Sequence, residues 1–272
     1  MVKGIQPTDN SNLMISQDEL QEFLDDPIAA QYVRPFYGAK ELVTSKRRWC
    51  LWMEDLNPQD IHKSSLLAQR ITANKEWRSA QKVTGDAYKL KDSPAIMRPS
   101  KDMPRVDYLG IPRHTSEHRL YLPVKYFDKD VVCGDANSTA EDPDAFVFGI
   151  ISSLMLMAWQ KAVGGRIKSD IRFSNNLVWN NLPLPPINEK LRLQIIETGQ
   201  NILVVREAIS ARTGKPQSLA DLYNPLVMDK NLLDAHKKLD RLVDKAFGSS
   251  KLCTSEVQRQ EILFARYSEL TN

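Results

Sequence analysis

One short run of the sequence carries residues that could hold a metal. His114-Thr115-Ser116-Glu117-His118 fits the H-x-x-E-H pattern of some zinc peptidases. That chemistry needs both histidines on one face of a helix, but Pro112 precedes the run and Tyr121-Leu122-Pro123 follows it. This context predicts a strand and a turn. A hydrolase that uses Glu117 with the two histidines is therefore a minor hypothesis, which bound zinc would establish, and we expect no metal site.

A second run, Gly165-Arg166-Ile167-Lys168-Ser169-Asp170, combines opposite charges just after a Gly164-Gly165 break. In an extended segment, side chains two positions apart point to one face, so Lys168 and Asp170 would lie together. Lysine can donate to guanine O6 or N7, and aspartate can accept from cytosine N4. The pair could therefore read both bases of one G·C pair in DNA. An exposed ion pair is the alternative, and the residues alone leave both open.

Positive charge is concentrated in one part of the chain. The whole sequence carries a net charge of +3, but residues 34–125 hold 18 Lys/Arg against 10 Asp/Glu, which is +8. Cations there alternate with Trp and Tyr, a pattern typical of nucleic-acid contacts, although a solvated surface over an aromatic core fits almost as well. The candidates for contact with DNA phosphates are Lys46, Arg47, Arg113, Arg119 and Arg166.

Several classes of protein are disfavoured. Cys50, Cys133 and Cys253 lie far apart without a CxxC pair, which indicates neither disulfides nor a zinc cluster and fits a reducing cytoplasm. Nothing marks a cysteine as an activated nucleophile, so core packing is predicted. The most apolar window, 145–158, is shorter than the ~20 residues of a membrane helix. The sequence contains no Gly-rich phosphate loop and no Asx-Pro-Pro-aromatic sequence.

The first two thirds of the chain read as short helices followed by strands. Residues 1–44 resemble a lead-in segment, with a capping box at Ser16-Gln17-Asp18-Glu19 before a short helix. Its first dozen residues resemble a loop cut from a longer chain. Residues 45–183 alternate between strand candidates and loops, with strands predicted at 48–53, 108–111, 120–127 and 131–133, a helix at 66–80, and extended chain at 177–182.

Helices dominate the remainder. Asp142-Pro143 predicts a helix start with Asp142 as the N-cap, and the apolar run continues to Val163. Residues 184–272 show two amphipathic patterns and a second capping box at Ser255-Glu256-Val257-Gln258. We therefore expect an α+β fold with three parts: a lead-in at 1–44, a strand-rich domain at 45–183 and a helical domain at 184–272.

The sequence also resembles the C-terminal part of the MmeI-like DNA adenine methyltransferases of bacterial type II restriction–modification systems. The similar stretches keep their order along nearly the whole chain. They are Arg48-Trp49-Cys50-Leu51-Trp52, Tyr108-Leu109-Gly110-Ile111-Pro112, Ser116-Glu117, Tyr121-Leu122-Pro123, Phe148-Gly149-Ile150-Ile151-Ser152-Ser153, Met157-Ala158-Trp159, Gly165-Arg166-Ile167-Lys168-Ser169-Asp170, Arg172-Phe173-Ser174, Asn180-Asn181, Ser218-Leu219-Ala220-Asp221-Leu222-Tyr223 and Ala235-His236-Lys237-Lys238-Leu239-Asp240.

This resemblance implies a DNA target recognition domain followed by helices. In such proteins an upstream methyltransferase domain supplies the S-adenosylmethionine site and the catalytic Asx-Pro-Pro-Tyr, and the stretch containing Lys168 and Asp170 contacts bases. We therefore expect sequence-specific binding of double-stranded DNA for an adenine-N6 methyltransferase. We expect no cofactor in this chain and no activity from it alone. The alternative is a protein-interaction module whose helical third docks a partner subunit.

Overall fold

Strands and helices divide the chain unequally. The structure, a computed structural model, describes residues 1–44, 46–98 and 103–271. Among these, eleven strands all precede residue 173, and the longest helices follow residue 188. The strands are β1 (Val2–Lys3), β2 (Met14–Ile15), β3 (Val33–Tyr37), β4 (Trp49–Leu51), β5 (Tyr108–Pro112), β6 (His114–Thr115), β7 (Lys125–Phe127), β8 (Val132–Cys133), β9 (Asn137–Glu141), β10 (Gly165–Ile167) and β11 (Asp170–Arg172).

Helices surround and follow these strands, which confirms the α+β prediction with its helical C-terminal part. They are α1 (Leu20–Asp25), α2 (Ala39–Val43), α3 (Pro58–Lys63), α4 (Ser65–Ser79), α5 (Asp86–Lys89), α6 (Phe146–Ile151), α7 (Leu154–Val163), α8 (Glu189–Thr213), α9 (Leu219–Leu222), α10 (Lys230–Ala246) and α11 (Glu256–Thr271). A 3₁₀ turn at Ala29–Tyr32 and a π-helical turn at Asn175–Trp179 complete the set.

Three small sheets organise the strand-rich region. Their strand orders are β1-β9-β5-β7, β2-β4-β3-β8 and β10-β11-β6. The first 44 residues contribute β1, β2 and β3, so this segment is built into two of the sheets as well as forming short helices. The predicted strands at 48–53, 108–111 and 131–133 are present as β4, β5 and β8, whereas only the end of 120–127 pairs, as β7.

Two large apolar cores and a smaller cluster around Leu42, Tyr108 and Phe127 hold these layers together. One lies beneath β2, β3 and β4 and includes Leu13, Phe23 and Leu51. The larger core runs without a break from β5 through α6 and α7 into α8, α10 and α11. The strand-rich and helical regions therefore share one core. Burial of apolar surface is the main favourable term in folding, so this core stabilises both regions together. The helix predicted at 66–80 is confirmed as α4.

The prediction of a single helix from Asp142 to Val163 is wrong. Helix α6 starts at Phe146, because Ala145 adopts a left-handed conformation with φ 68° and ends the preceding turn. Asp142 still satisfies two helix-start amides: its carboxylate accepts from the Val147 and Phe148 N–H groups, both at 2.9 Å. The helix then breaks, and the Ser153 hydroxyl accepts from Leu156 N to cap α7. The predicted stop at Gly164 is confirmed.

The expectation of extended chain at 177–182 is also wrong. Residues Asn175–Trp179 form the π-helical turn, which the Ser174 side chain caps by accepting from Leu177 N. Val178 is buried, and its carbonyl accepts from the Trp159 indole N–H at 2.9 Å. The turn therefore fastens the chain that follows β11 to α7.

In the helical region, α8 packs against α6 and α10, and α11 packs against α7. Asn188 caps α8 by accepting from Leu191 N, and the predicted capping box at Ser255 is present, since Gln258 N donates to Ser255 Oγ. Helices α6 and α8 touch closely: a Cβ on Gly199 would lie 3.3 Å from the Gly149 Cα. In the described part of the chain, no helix combines the length and apolar character needed to cross a membrane.

Candidate nucleic-acid interface

A short β-hairpin of β10 and β11 follows α7 and carries Arg166, Lys168 and Asp170. Helix α7 ends at Gly164, where the backbone becomes extended and only glycine fits, because a Cβ there would lie 2.3 Å from the Gln160 carbonyl oxygen. The chain then enters β10, and β11 returns antiparallel to it with Ile167 opposite Asp170. Lys168 and Ser169 form the two-residue connection, and Lys168 takes a left-handed conformation with φ 57°.

The hairpin corrects the argument that Lys168 and Asp170 lie on one extended segment. Lys168 belongs to the turn, whereas Asp170 is the first residue of the returning strand. Both side chains are exposed at the tip of the hairpin. The structure therefore places the two residues near each other through a turn rather than through alternation along a strand.

Strand β6 extends the hairpin into a three-stranded sheet with one exposed face. Arg172 lies opposite His114, and Ile171 lies opposite Thr115. Ile171 and Thr115 are buried, so the alternating residues of β11, Asp170 and Arg172, share the exposed face with His114. Sequence reasoning missed Arg172. The alternation of charged and apolar residues at 170–173 was the sequence signal that could have found it.

Around this sheet, Lys168, Asp170 and Arg172 form no salt bridge with a described residue, whereas Arg166 does. Partial desolvation lowers the pKa of His114, and the neighbouring cations Arg113 and Arg172 lower it further, so the neutral imidazole predominates at pH 7. Arg166 lies 3.6 Å from Glu117 in an exposed pair, and its guanidinium also donates to the Ser169 carbonyl at 3.3 Å. An exposed pair of this kind is worth about 0–1 kcal/mol and leaves Arg166 able to change partners.

The H-x-x-E-H run has the strand and turn that its context predicted. His114 lies in β6, and Glu117 and His118 lie in the following turn, so the two histidines do not share a helix face. Within the described ranges, no three His, Cys, Asp or Glu side chains are grouped so that they could hold a metal ion.

Arg113 lies beside the hairpin sheet in a polar cleft of about 380 Å³. Its guanidinium donates to the Asp135 carbonyl at 3.0 Å, and its backbone carbonyl accepts from Phe173 N at 2.8 Å. Lys3 and Ser174 line the same cleft. The structure therefore brings Arg113 and Arg166 to the same three-stranded sheet as Lys168 and Asp170.

Arg119 is held by the helical region. Its guanidinium is half-buried and donates to the Tyr223 carbonyl at 3.2 Å and to the Leu219 carbonyl at 3.5 Å. Burial lowers its pKa. These contacts connect the turn after β6 to α9, so the main role of the Arg119 side chain is structural.

Lys46 and Arg47 lie elsewhere, at the rim of a cleft between the two regions. The cleft has a volume of about 850 Å³ and is lined from the strand side by Tyr37 and Lys125 and from α8 by Arg206. Both rim side chains are exposed, and no described residue forms a salt bridge with either. The five predicted phosphate-binding residues therefore occupy three places: the hairpin sheet, the link to α9 and this cleft.

The cysteines pack in the interior as predicted. Cys50 and Cys133 are fully buried, and burial raises the pKa of both thiols, that of Cys133 to about 12. A thiol that stays protonated at neutral pH is a poor nucleophile.

Comparison with known proteins identifies the arrangement. The family model described as the MmeI target recognition domain matches residues 1–186, and the model described as the MmeI C-terminal domain matches residues 187–272. The chain belongs to the MmeI family. It comprises the target recognition domain and the C-terminal domain of an MmeI-like restriction–modification methyltransferase.

Two relatives extend this assignment. A solved structure of the type IIL restriction–modification enzyme MmeI in complex with DNA superimposes with a TM-score of 0.90 at 33% sequence identity, over 99% of this chain. DNA methyltransferase A of Bacillus subtilis (strain 168) is 30% identical over 269 residues. The chain spans only 35% of the MmeI chain and 30% of the methyltransferase.

Proposed function

We propose that this chain recognises a short sequence in double-stranded DNA and that the β10–β11–β6 sheet reads it. The observation that carries the proposal is the exposed face on which Asp170, Arg172 and His114 lie beside the hairpin tip. A two-stranded ribbon is narrow enough to enter the major groove, where each base pair presents a distinct donor and acceptor pattern. The MmeI relative was solved in complex with DNA, which supports a DNA ligand here.

The side chains of the hairpin supply both kinds of base contact. Lys168 can donate to guanine O6 or N7, and Asp170 can accept from cytosine N4, so together they can read one G·C pair. Arg172 adds a fork that can donate to a second guanine. Neutral His114 can offer one donor and one acceptor. We assign base reading to Lys168 and Asp170 first, because they are at the tip of the hairpin.

Phosphate contacts position this ribbon. We assign them to Arg113 and Arg166 beside the sheet and to Lys46 and Arg47 at the cleft between the regions. Arg119 can contribute only through donors left over from its bonds to α9, so its share is the smallest. Such contacts fix register and orientation and supply sequence-independent affinity.

The recognised site serves methylation by another part of the protein or by a partner. We propose that a methyltransferase domain, in the same or a separate polypeptide, binds S-adenosylmethionine and modifies the N6 atom of adenine in the recognised site. The sequence of this chain contains no Gly-rich cofactor loop and no Asx-Pro-Pro-aromatic motif. We therefore expect that this chain binds no S-adenosylmethionine. Three free, buried cysteines suit the cytoplasm as its compartment.

Selection from random DNA tests the recognition proposal. The chain is mixed with a pool of duplexes that carry a randomised centre, and the bound fraction is sequenced. We expect one short enriched sequence. The double variant Lys168→Ala with Asp170→Ala should still bind duplex DNA but lose its preference at one base pair of the enriched sequence. If the unmodified chain enriches nothing, or binds no duplex at low salt while binding a methyltransferase subunit tightly, it is a protein-interaction module.

A second measurement tests the cofactor proposal. Calorimetric titration of the chain with S-adenosylmethionine should show no heat of binding, and incubation with duplex DNA and the cofactor should leave adenine unmodified. A micromolar dissociation constant for S-adenosylmethionine would contradict this proposal.

A further inference from the structure

Five cations lie on the solvent side of α10, outside the residues assigned to DNA binding above. The residues are all exposed, and we refer to them as the α10 stripe: Lys230, Lys237, Lys238, Arg241 and Lys245. At ~100° per residue they occupy an arc of about 100° around the helix. None of them forms a salt bridge with another described residue. The helix therefore presents a row of uncompensated positive charges about 22 Å long.

Two of the three acids of α10 are turned away from this row. Asp240 and Asp244 are each only 1% exposed. Asp240 accepts from Leu154 N and from the Tyr121 hydroxyl, both at 2.8 Å, and Asp244 binds Arg259 of α11 at 2.8 Å. The helix carries five cations and three acids, a net +2. Only Asp234 lies on the outer side, within the arc of the stripe, so this side carries +4. Folding thus buries two of the acids and leaves the positive charges of α10 on its outer side.

A groove between α8 and α10 adds neutral donors to the stripe. It has a volume of about 710 Å³. Its polar lining consists of Lys237, Lys238, Arg241, Arg212, Asn201, Asn231 and one acid, Asp234. Side-chain amides and amines are the groups that commonly hydrogen-bond phosphate oxygens in protein–DNA complexes. The surface thus combines charge with hydrogen-bond donors along one line.

The chemistry of the stripe favours a polyanion over a protein or a bilayer. Lysine is depleted in the cores of protein–protein interfaces, and the stripe contains four lysines and no aromatic residue. The apolar side of α10, with Leu232, Leu239 and Val243, is buried in the core, so the helix has no face to insert into a membrane. DNA carries about one charge per 1.7 Å of its axis, so a row of cations about 22 Å long can meet several phosphates at once.

We propose that the α10 stripe binds the phosphate backbone of DNA, as a sequence-independent contact separate from the base-reading hairpin. The inference rests on the proposed function, because it needs a duplex to be the ligand of the chain. The stripe would supply affinity and salt dependence, and the hairpin would supply sequence preference.

The triple variant Lys237→Gln, Lys238→Gln, Arg241→Gln tests this inference. Fluorescence anisotropy measures the dissociation constant of a labelled duplex between roughly 50 and 200 mM salt. Each lost phosphate contact should reduce the slope of log affinity against log salt by about 0.9, so the slope should become shallower by about 2 to 3. Affinity at the lowest salt should fall about 10- to 100-fold. The enriched sequence should stay the same.

A control with the same charge change separates this contact from net charge. Lys75→Gln, Lys82→Gln, Lys190→Gln removes three exposed lysines at scattered places on the surface. We expect the control to retain nearly the original slope. Equal changes in the two triple variants would overturn the proposal, because they would show an effect of overall charge alone.

The outcomes distinguish this inference from the proposed function. If the unmodified chain shows sequence preference but the stripe variant keeps its salt slope, the inference fails alone. If the unmodified chain binds no duplex, both fail. If the stripe variant loses binding to phosphatidylserine vesicles while its DNA affinity is unchanged, the stripe belongs to a membrane surface and the inference is wrong.

Discussion

The hairpin sheet and the interior of the helical region place their charged groups in opposite ways. Around the hairpin, Arg166, Lys168 and Asp170 are exposed and held mainly by backbone geometry. In the helical region, charged side chains such as Arg259 and Asp244 are buried and hydrogen-bonded to one another. Exposed charges can be exchanged at small cost to the fold, whereas buried ones cannot. The difference indicates which region is free to vary its specificity and which one fixes its position.

The buried network fixes the two regions relative to each other. The Tyr121 hydroxyl, from the strand-rich region, donates to Asp240 at 2.8 Å, and its ring stacks on His236 at 3.9 Å. In the other direction, Arg206 of α8 donates to the Val124 carbonyl at 2.9 Å. Because buried hydrogen bonds are directional, these contacts set the angle at which the hairpin is presented.

The largest expected effect comes from breaking the buried ion pair. Arg259→Met leaves the Asp244 carboxylate buried without its partner, and we expect a loss of about 3–5 kcal/mol in the free energy of unfolding, measured by urea denaturation. The exposed pair between Arg212 and Asp229 provides the control, and Arg212→Met should cost less than ~1 kcal/mol. Similar losses in both variants would contradict the contrast between buried and exposed charges.

A smaller effect is expected in the pH dependence of stability. Burial, with Arg206 nearby, lowers the pKa of His236 from 6.5 to about 3, so the unfolded chain binds this proton first and stability falls as pH falls from about 6.5. Burial raises the pKa of Asp240 from 3.8 to about 6, so the folded chain binds that proton first and stability rises as pH falls from about 6 towards 4. The two contributions oppose each other.

Asp240→Asn should remove that compensation. We expect its stability to decline more steeply than that of the unmodified chain between about pH 6 and 4, by roughly 1.4 kcal/mol per pH unit at most. Urea midpoints measured at half-unit pH intervals give the comparison. Parallel profiles would show that Asp240 is ionised in the folded protein throughout this range.

The smallest stability effect should be of opposite sign. Lys168 holds a left-handed conformation that costs a non-glycine residue about 1 kcal/mol. Lys168→Gly should therefore raise the free energy of unfolding by up to ~1 kcal/mol while weakening DNA binding. Thermal denaturation and duplex titration of the same preparation measure both quantities. A less stable variant would show that the left-handed conformation of Lys168 carries no strain. Unchanged DNA affinity would show that the Lys168 side chain does not contact DNA.

Local patterns in the sequence predicted much of the architecture. The capping box at Ser255 and the helix at 66–80 depend on neighbours within one or two turns, and both are present. The break at Ser153 was missed because an apolar run through 145–163 masks a serine that caps a second helix. The π-helical turn at Asn175–Trp179 was missed because its anchor, Trp159, lies 19 residues from Val178 in the sequence.

The candidate site was predicted less completely because its contacts are non-local. The hairpin connection contains no Gly or Asn to signal a left-handed residue, so the segment read as extended. Arg172 joins the site only because β11 pairs with β6, far earlier in the chain. The charge of the α10 stripe was hidden because Asp240 and Asp244 find partners at Tyr121 and Arg259, which the sequence does not reveal.

The most direct test of the central claim is a charge-conserving exchange at the hairpin tip. Lys168→Glu with Asp170→Arg leaves the net charge unchanged, so sequence-independent binding should barely move. In the methyltransferase-linked protein, sequencing of methylated sites should show a changed preference at a single base pair, by about 1–3 kcal/mol. The same methylated sequence at full activity would show that Lys168 and Asp170 do not read a base.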